Sequence, residues 1–156
     1  MKKFKIEKDA NKLKRIAEHI DLINQKDKAD NLRKLLLDCY YNYFNKKCQG
    51  LSAIQLGYNS SCILVQYDKT KTKEPIVLFN PKVIYNIGFR FSDEGCISVG
   101  QDRFIVKRPL LCYVEYQLID GSTKREWLPY KKARIFCHEY DHTKGILITD
   151  KGVKIC

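Results

Sequence analysis

The segment CHEYDHTKG, residues Cys137–Gly145, holds two of the three histidines of this chain, four residues apart and with a glutamate directly after the first. In an α-helix, residues i and i+4 lie on the same face, one turn apart. His138 and His142 can then direct ring nitrogens at one metal ion, while Glu139 lies close enough to exchange a proton with a water there. The segment therefore predicts a helix that carries part of a metal site.

Two histidines do not complete a metal site, and the short C-terminal tail offers few further ligands. Ile148 occupies the position where a third histidine would extend the pattern beyond Gly145. No glutamate follows Glu139 in the sequence. The third ligand must therefore come from upstream, or be Asp150 or Cys156.

Cys96, in the segment SDEGCISVG, is the upstream candidate. Gly95 and Gly100 on either side of it let the backbone approach another element closely. A thiolate and two imidazoles give three protein ligands and leave one position open for water. Considered alone, Cys96 is a core thiol, but the HExxH pattern elsewhere favours a ligand role. Asp141 is interpreted either as an exposed acid or as the hydrogen-bond partner of a ligating histidine.

The pattern of apolar residues predicts one α+β domain over residues 1–156, with antiparallel β-sheets packed around the C-terminal HExxH helix and with N-terminal helices. Helical spacing occurs from Leu13 to Ile20 and from Leu32 to Tyr43, with a polar break between them. The predicted strands are Ser61–Asp68, Pro75–Gly88 and Tyr113–Ile119, followed by an Asp120-Gly121 turn and the return strand TKREWL. The final helix is predicted from Pro129 to Gly145.

Composition limits the setting in which the chain works. Seven scattered cysteines, no secretory signal and no apolar run long enough for a membrane span predict reduced thiols and a cytoplasmic protein without a membrane partner. The formal charge of +11 is large for 156 residues, but the lysines are spread along the chain. The charge allows contact with the ribosome through a basic surface, and it predicts no specific nucleic-acid partner.

Three ordered segments resemble the peptide deformylase family. The motif G-x-G-L-A-A-x-Q corresponds to Cys48–Gln55, and E-G-C-L-S corresponds to Glu94–Ser98 with Ile97 in place of Leu. The motif Q-H-E-x-D-H-x-x-G corresponds to Cys137–Gly145, and an Arg after the second motif corresponds to Arg103. The likeness covers roughly residues 30 to 150, and three motifs in order are more specific than any one of them.

The resemblance implies a role for each matching residue. The implied metal ligands are Cys96, His138 and His142, and the implied acid and base is Glu139. The Gln55 amide and the Ile97 backbone N–H are implied as donors to the oxygen of the reacting carbonyl. The resemblance implies that Gly50 lines the substrate cleft and that an apolar pocket receives a methionine side chain. Ile135, one turn before His138 on the same helix face, is predicted either as part of the wall of this pocket or as an ordinary core residue. Arg103 is predicted either to bind the peptide backbone or to be a surface charge.

The resemblance also implies the reaction and the cofactor. It indicates a metal-dependent hydrolase that removes the N-formyl group from N-formylmethionyl nascent peptides and releases formate. One divalent ion is implied, natively Fe2+, with Zn2+, Ni2+ or Co2+ able to occupy the same site.

The chain departs from the family pattern at several positions. Cys48 replaces the first Gly of the first motif and Ser52 the first Ala of its Ala pair, while Cys137 replaces the Gln before His138. None of these changes touches the implied ligands, Glu139 or Gln55. They leave open a divergent member that acts on another amide or peptide, or an inactive metal-binding paralogue.

Overall fold

The structure is a computed structural model that describes residues 4–68, 70 and 72–155. Its α-helices are α1 (Ala10–Leu13), α2 (Lys26–Asp38), α3 (Tyr130–Thr143) and α4 (Ile148–Lys151). A π-helical turn, Cys39–Tyr43, extends α2, and a 3-10 turn spans Ala53–Leu56. Among the described residues, no helix is both long enough and apolar enough to cross a bilayer.

Eight strands of the described chain form two antiparallel sheets. They are β1 (Gly50–Ser52), β2 (Cys62–Val65), β3 (Ile76–Ile87), β4 (Arg90–Gly95), β5 (Arg103–Arg108), β6 (Leu111–Gln117), β7 (Thr123–Pro129) and β8 (Gly152–Lys154). The larger sheet has the order β1-β2-β3-β6-β7, and the smaller has the order β4-β5-β8. The predicted α+β class, with antiparallel sheets around the C-terminal helix, is confirmed.

The two long helices pack on opposite faces of the larger sheet. Alternate residues of a strand point to opposite faces, and in β2 Leu64 packs with α2 while Ile63 and Val65 pack with α3. The α2 side is apolar through Leu32 and Leu36, and both are buried. Helix α3 lies between the larger sheet and the smaller one. This position determines which side chains of the two sheets can meet those of the helix.

The first N-terminal helix is much shorter than its apolar spacing predicts. Only Ala10–Leu13 is helical, and the chain leaves the helix through a turn at Lys14. Beyond this turn, Ala17 N–H donates to the Thr143 carbonyl at 2.8 Å. The side-chain amide of Asn80 accepts from Ile20 N–H at 2.9 Å and donates to the Ile20 carbonyl at 2.8 Å. Leu13 and Ile20 are buried as predicted, but these tertiary hydrogen bonds replace the helical ones.

The predicted strands and the final helix are present with shifted ends. The Asp120-Gly121 turn joins β6 to β7, and Gly121 has φ 83°. Helix α3 begins after Pro129, which is the N-cap rather than part of the first turn. The helix α2 begins inside the polar break. Strands β4 and β5 were not predicted, because charged residues alternate with single buried residues along these two strands.

Candidate metal and catalytic site

The structure brings Cys96, His138 and His142 together. One potential ligand atom from each, a sulfur and two ring nitrogens, lies within 4.8 Å of the others. The two histidines are one turn apart on α3, with ring centroids separated by 5.2 Å. Cys96 directly follows β4 and begins a turn. In this turn the Cys96 carbonyl accepts a hydrogen bond from Val99 N–H at 3.0 Å, which fixes the position of Cys96.

The donor set fits a divalent metal ion. Cys96 Sγ lies 3.4 Å from His142 Nε2, close to the ~3.5 Å between two ligands of one tetrahedral ion. Cys96 and His142 are buried, and burial lowers the pKa of His142 well below its usual range, with the neighbouring His138 and Arg108 contributing. A neutral imidazole is the form that binds a metal.

A buried carboxylate orients His138. Glu94 Oε2 accepts a hydrogen bond from His138 Nδ1 at 2.8 Å, which directs Nε2 of the same ring towards the cysteine. Arg108 donates to both oxygens of Glu94, at 2.8 and 2.9 Å. Burial opposes ionisation of Glu94, but the hydrogen bonds from His138 and Arg108 lower its pKa to about 2. Glu94 is therefore an anion at neutral pH, beside the ligand set.

Asp141 takes neither of its two predicted roles. It is buried, and its carboxylate accepts from Arg108 at 2.5 Å and from Lys151 Nζ at 3.0 Å instead of from a histidine. The histidine partner is Glu94, on the facing strand. Asp150 is also removed from the ligand alternatives, because its carboxylate accepts from Lys14 Nζ at 2.7 Å and from Leu147 N–H at 2.9 Å. Cys156, the other alternative in the tail, lies outside the described residues.

Glu139 is buried against the backbone of β1. Its exposed fraction is 5%, burial raises its pKa to about 7, and its Oε2 has no hydrogen-bond partner among the described residues. A Cβ at Gly50 would overlap the Glu139 carboxyl group, so a larger residue there would force Glu139 out of its position. A carboxyl group whose pKa is near neutrality can both accept and return a proton.

The Gln55 amide is fixed in one orientation. Its Oε1 accepts from Ser52 N–H at 2.9 Å, so Nε2 faces the site, 3.4 Å from Cys96 Sγ and 3.3 Å from Ser98 Oγ. Ile97, which follows Cys96, lines the same cavity. Both predicted donors therefore border the ligand set.

A cavity of about 580 Å3 opens beside the ligand set, and the three predicted substrate residues Gly50, Arg103 and Ile135 all line it. Arg103 is anchored at the rim, where its Nε donates to Asp93 Oδ1 at 2.7 Å. Ile135 is 3% exposed and also belongs to the core beneath α3. The predicted apolar wall is only part of the lining, because Arg134 and Gln49 also face the cavity.

No sequence pattern predicted a role for Glu94, Arg108 or Arg134. Glu94 had a detectable signal, since it lies two residues before Cys96 and a ligating histidine needs a carboxylate or carbonyl partner. Arg108 had none, because an arginine at the end of a charged strand is usually exposed. It is 1% exposed here because three carboxylate contacts offset its burial.

Comparison with known proteins agrees with this geometry. The model of the polypeptide deformylase family matches residues 4–155. A peptide deformylase of Finegoldia magna is 32% identical over 127 residues, which cover 81% of this chain and 77% of that protein. One of Lachnoclostridium phytofermentans is 35% identical over 130 residues, which cover 80% and 74%.

A solved structure agrees as well. The crystal structure of a peptide deformylase from Synechococcus elongatus in complex with actinonin has a TM-score of 0.84 and 26% identity, over 96% of this chain and 80% of that one. The family match spans nearly the whole described chain, including the residues that converge on the site. The chain belongs to the peptide deformylase family.

Proposed function

We propose that the chain, as one catalytic domain over residues 1–156, removes the N-formyl group from N-formylmethionyl peptides and releases formate. The family membership supports the reaction class. The observation that carries the proposal is the convergence of one sulfur and two ring nitrogens beside a buried carboxyl group and a cavity. A hydrolase of amides needs these parts: a nucleophile source, a proton carrier and room for a peptide.

Cys96, His138 and His142 are the residues that would hold the ion. A divalent ion in such a site lowers the pKa of water towards ~7 and so supplies a nucleophile at neutral pH. We propose Fe2+ as the native ion, since the family resemblance implies it, with Zn2+, Ni2+ or Co2+ as substitutes.

Glu139 carries the proton. With a pKa of about 7, its carboxylate accepts the proton of the attacking water and then donates it to the leaving amine. Gly50 leaves room for this carboxyl group beside β1. The C–N bond breaks as the amine is protonated, and formate and a free peptide N-terminus are the products.

Gln55 stabilises the negative charge that develops on the formyl oxygen. Because Oε1 is held by Ser52 N–H, Nε2 is preorganised to donate and needs no reorientation during the reaction. The Ile97 backbone N–H is the second donor, and Arg103 at the rim binds the peptide backbone.

Because the proposed substrate is a nascent chain, the protein should act close to the ribosome. We propose a cytoplasmic location and a contact with the ribosome through the basic surface, supported by the charge of +11 and by the nascent-chain substrate. Cosedimentation with ribosomes tests this contact. Binding that is lost steeply as salt rises is expected, and no binding at low salt would contradict it.

One experiment tests the reaction. The protein is purified with and without air, its metal content is measured, and formate release from formyl-Met-Ala-Ser is compared with cleavage of unblocked Met-Ala-Ser. We expect formate release alone, faster in the anaerobic sample if iron is native because oxidants attack the thiolate. Cleavage of the unblocked peptide, or no turnover with any added divalent metal, would contradict the proposal.

A further inference from the structure

The cavity beside the ligand set is lined by a cationic side chain that forms no ion pair with any carboxylate in the described part of the chain. Two of its acidic side chains are already engaged, since Asp93 accepts from Arg103 at 2.7 Å and Glu94 from Arg108 at 2.8 Å. Arg134 also lines the cavity. Among the residues that the structure describes, it forms no ion pair.

The Arg134 guanidinium is held in place by an uncharged partner. Its Nη2 donates to Gln49 Oε1 at 2.7 Å, and within the described part of the chain this is its sole hydrogen bond. Burial lowers the pKa of Arg134; the charge of Glu94 opposes this shift, and the charges of Arg108 and Arg103 add to it. A half-buried guanidinium has five donors, so most of them are left to pair with whatever enters the cavity.

The position of Arg134 relates it to one part of a substrate. It precedes His138 by four residues on α3, so both lie on the same helix face, one turn or about 5.4 Å apart. Its partner Gln49 directly precedes Gly50, which borders Glu139. In a formyl peptide, the first side chain leaves the backbone two bonds from the formyl carbon. That side chain is the variable part of the substrate closest to the reacting carbon, and Arg134 lies one helical turn from a histidine of the ligand set.

We propose that Arg134, oriented by Gln49, forms a subsite that favours an oxygen acceptor at the end of the first, N-formylated side chain. The ligand class is a formyl peptide whose first residue carries a terminal amide or carboxylate oxygen. Methionine, whose sulfur is a weak acceptor, still enters. This inference rests on the proposed deformylase reaction.

The test compares side chains of similar length. Formate release is measured for formyl-Xaa-Ala-Ser, where Xaa is methionine, norleucine, glutamine or glutamate, in the native protein and in Arg134→Leu. We expect the ratio of kcat/KM for glutamine over norleucine to fall at least tenfold in Arg134→Leu, because the buried amide oxygen then has no donor. The glutamate ratio should fall further, since charged hydrogen bonds are stronger.

Matched variants isolate the effect. Lys132→Leu removes a charge from the same helix, but its side chain lies over the Tyr67 ring at 5.7 Å, outside this cavity, so both ratios should stay unchanged. Arg134→Met keeps the apolar stem and provides a second variant if Arg134→Leu does not fold. Inhibition by the unformylated peptides gives a binding measurement without the chemical step, and its glutamine-to-norleucine preference should shift by the same factor.

The possible failures can be told apart. An unchanged ratio in both Arg134 variants, or an equal change in Lys132→Leu, overturns the subsite while the deformylase reaction stands. If the native metal-loaded protein releases no formate from any of these peptides, the proposed function and the subsite are overturned together.

Discussion

Replacing Glu94 by Gln should destabilise the protein and weaken metal binding at once. Glu94 is 1% exposed and receives hydrogen bonds from Arg108 at 2.8 and 2.9 Å and from His138 at 2.8 Å. Gln has one acceptor oxygen in place of two and no charge, so it leaves the buried guanidinium with only Asp141 as its anion. Breaking a buried ion pair from one side costs about 3–5 kcal/mol.

The pKa of Glu94 gives an independent magnitude. It lies at about 2 against an ordinary value of 4.5, which corresponds to about 3 kcal/mol of stability at neutral pH. Because the pKa is lower in the folded protein, this stability is present above pH ~4.5 and is lost as pH falls towards ~2. Two estimates thus agree near 3 kcal/mol, or roughly 6–12 °C in Tm for a domain of this size.

The assay is thermal unfolding of the metal-free protein at pH 7 and at decreasing pH, together with chelator competition for the metal. We expect Glu94→Gln to lose about 3 kcal/mol at pH 7, to show a smaller difference from the native protein near pH 3, and to bind metal 10- to 100-fold more weakly. The control is Glu115→Gln, whose partner Arg125 is 60% exposed and whose loss should cost under about 1 kcal/mol. If Glu94→Gln loses no more stability than Glu115→Gln, Glu94 is not part of a stabilising buried ion pair.

Three further predictions concern the reaction and the metal. Gly50→Ala should lower kcat at least tenfold with metal content unchanged, because the new Cβ would lie 2.3 Å from Glu139 Oε1; native kcat in a folded variant would be the contrary result. Gln55→Leu should lower kcat by about 10²–10³ with little change in KM, and steady-state kinetics that show a KM effect alone would exclude the donor role. Burial opposes the charged form of His138, but hydrogen bonds to Cys96 and Glu94 raise its pKa to about 10, so metal must displace a proton. Affinity measured by competition should rise at least tenfold per pH unit from pH 6 to 9, and a flat profile would contradict the proposed ligand set.

The parts of the site that depend on spacing along one element could be predicted from sequence. His138, Glu139 and His142 follow from the helix period, and the helix itself follows from the apolar pattern between Pro129 and Gly145. Cys96 was identified through its neighbouring glycines and the family motif, and the structure places it against His142.

The parts that depend on contacts between distant segments could not be predicted. The helical spacing from Leu13 to Ile20 is genuine, but Asn80, sixty positions away, makes the hydrogen bonds to the Ile20 backbone that a helix would otherwise make. Similarly, nothing local indicates that Arg108 would be buried between Glu94 and Asp141. Such long-range pairs have no periodic signature, so they appear only with the three-dimensional structure.

X-ray absorption at the metal edge of the zinc-loaded protein tests most directly the claim that one thiolate and two imidazoles hold a single ion. We expect one sulfur neighbour at ~2.3 Å and two nitrogen neighbours at ~2.0–2.1 Å, with the remaining position filled by a light atom from solvent. In Cys96→Ser the sulfur signal should disappear, and in Cys62→Ser, a buried thiol of the core, it should persist. A spectrum without sulfur, or a sulfur signal that survives in Cys96→Ser, would contradict Cys96 as a ligand of the ion.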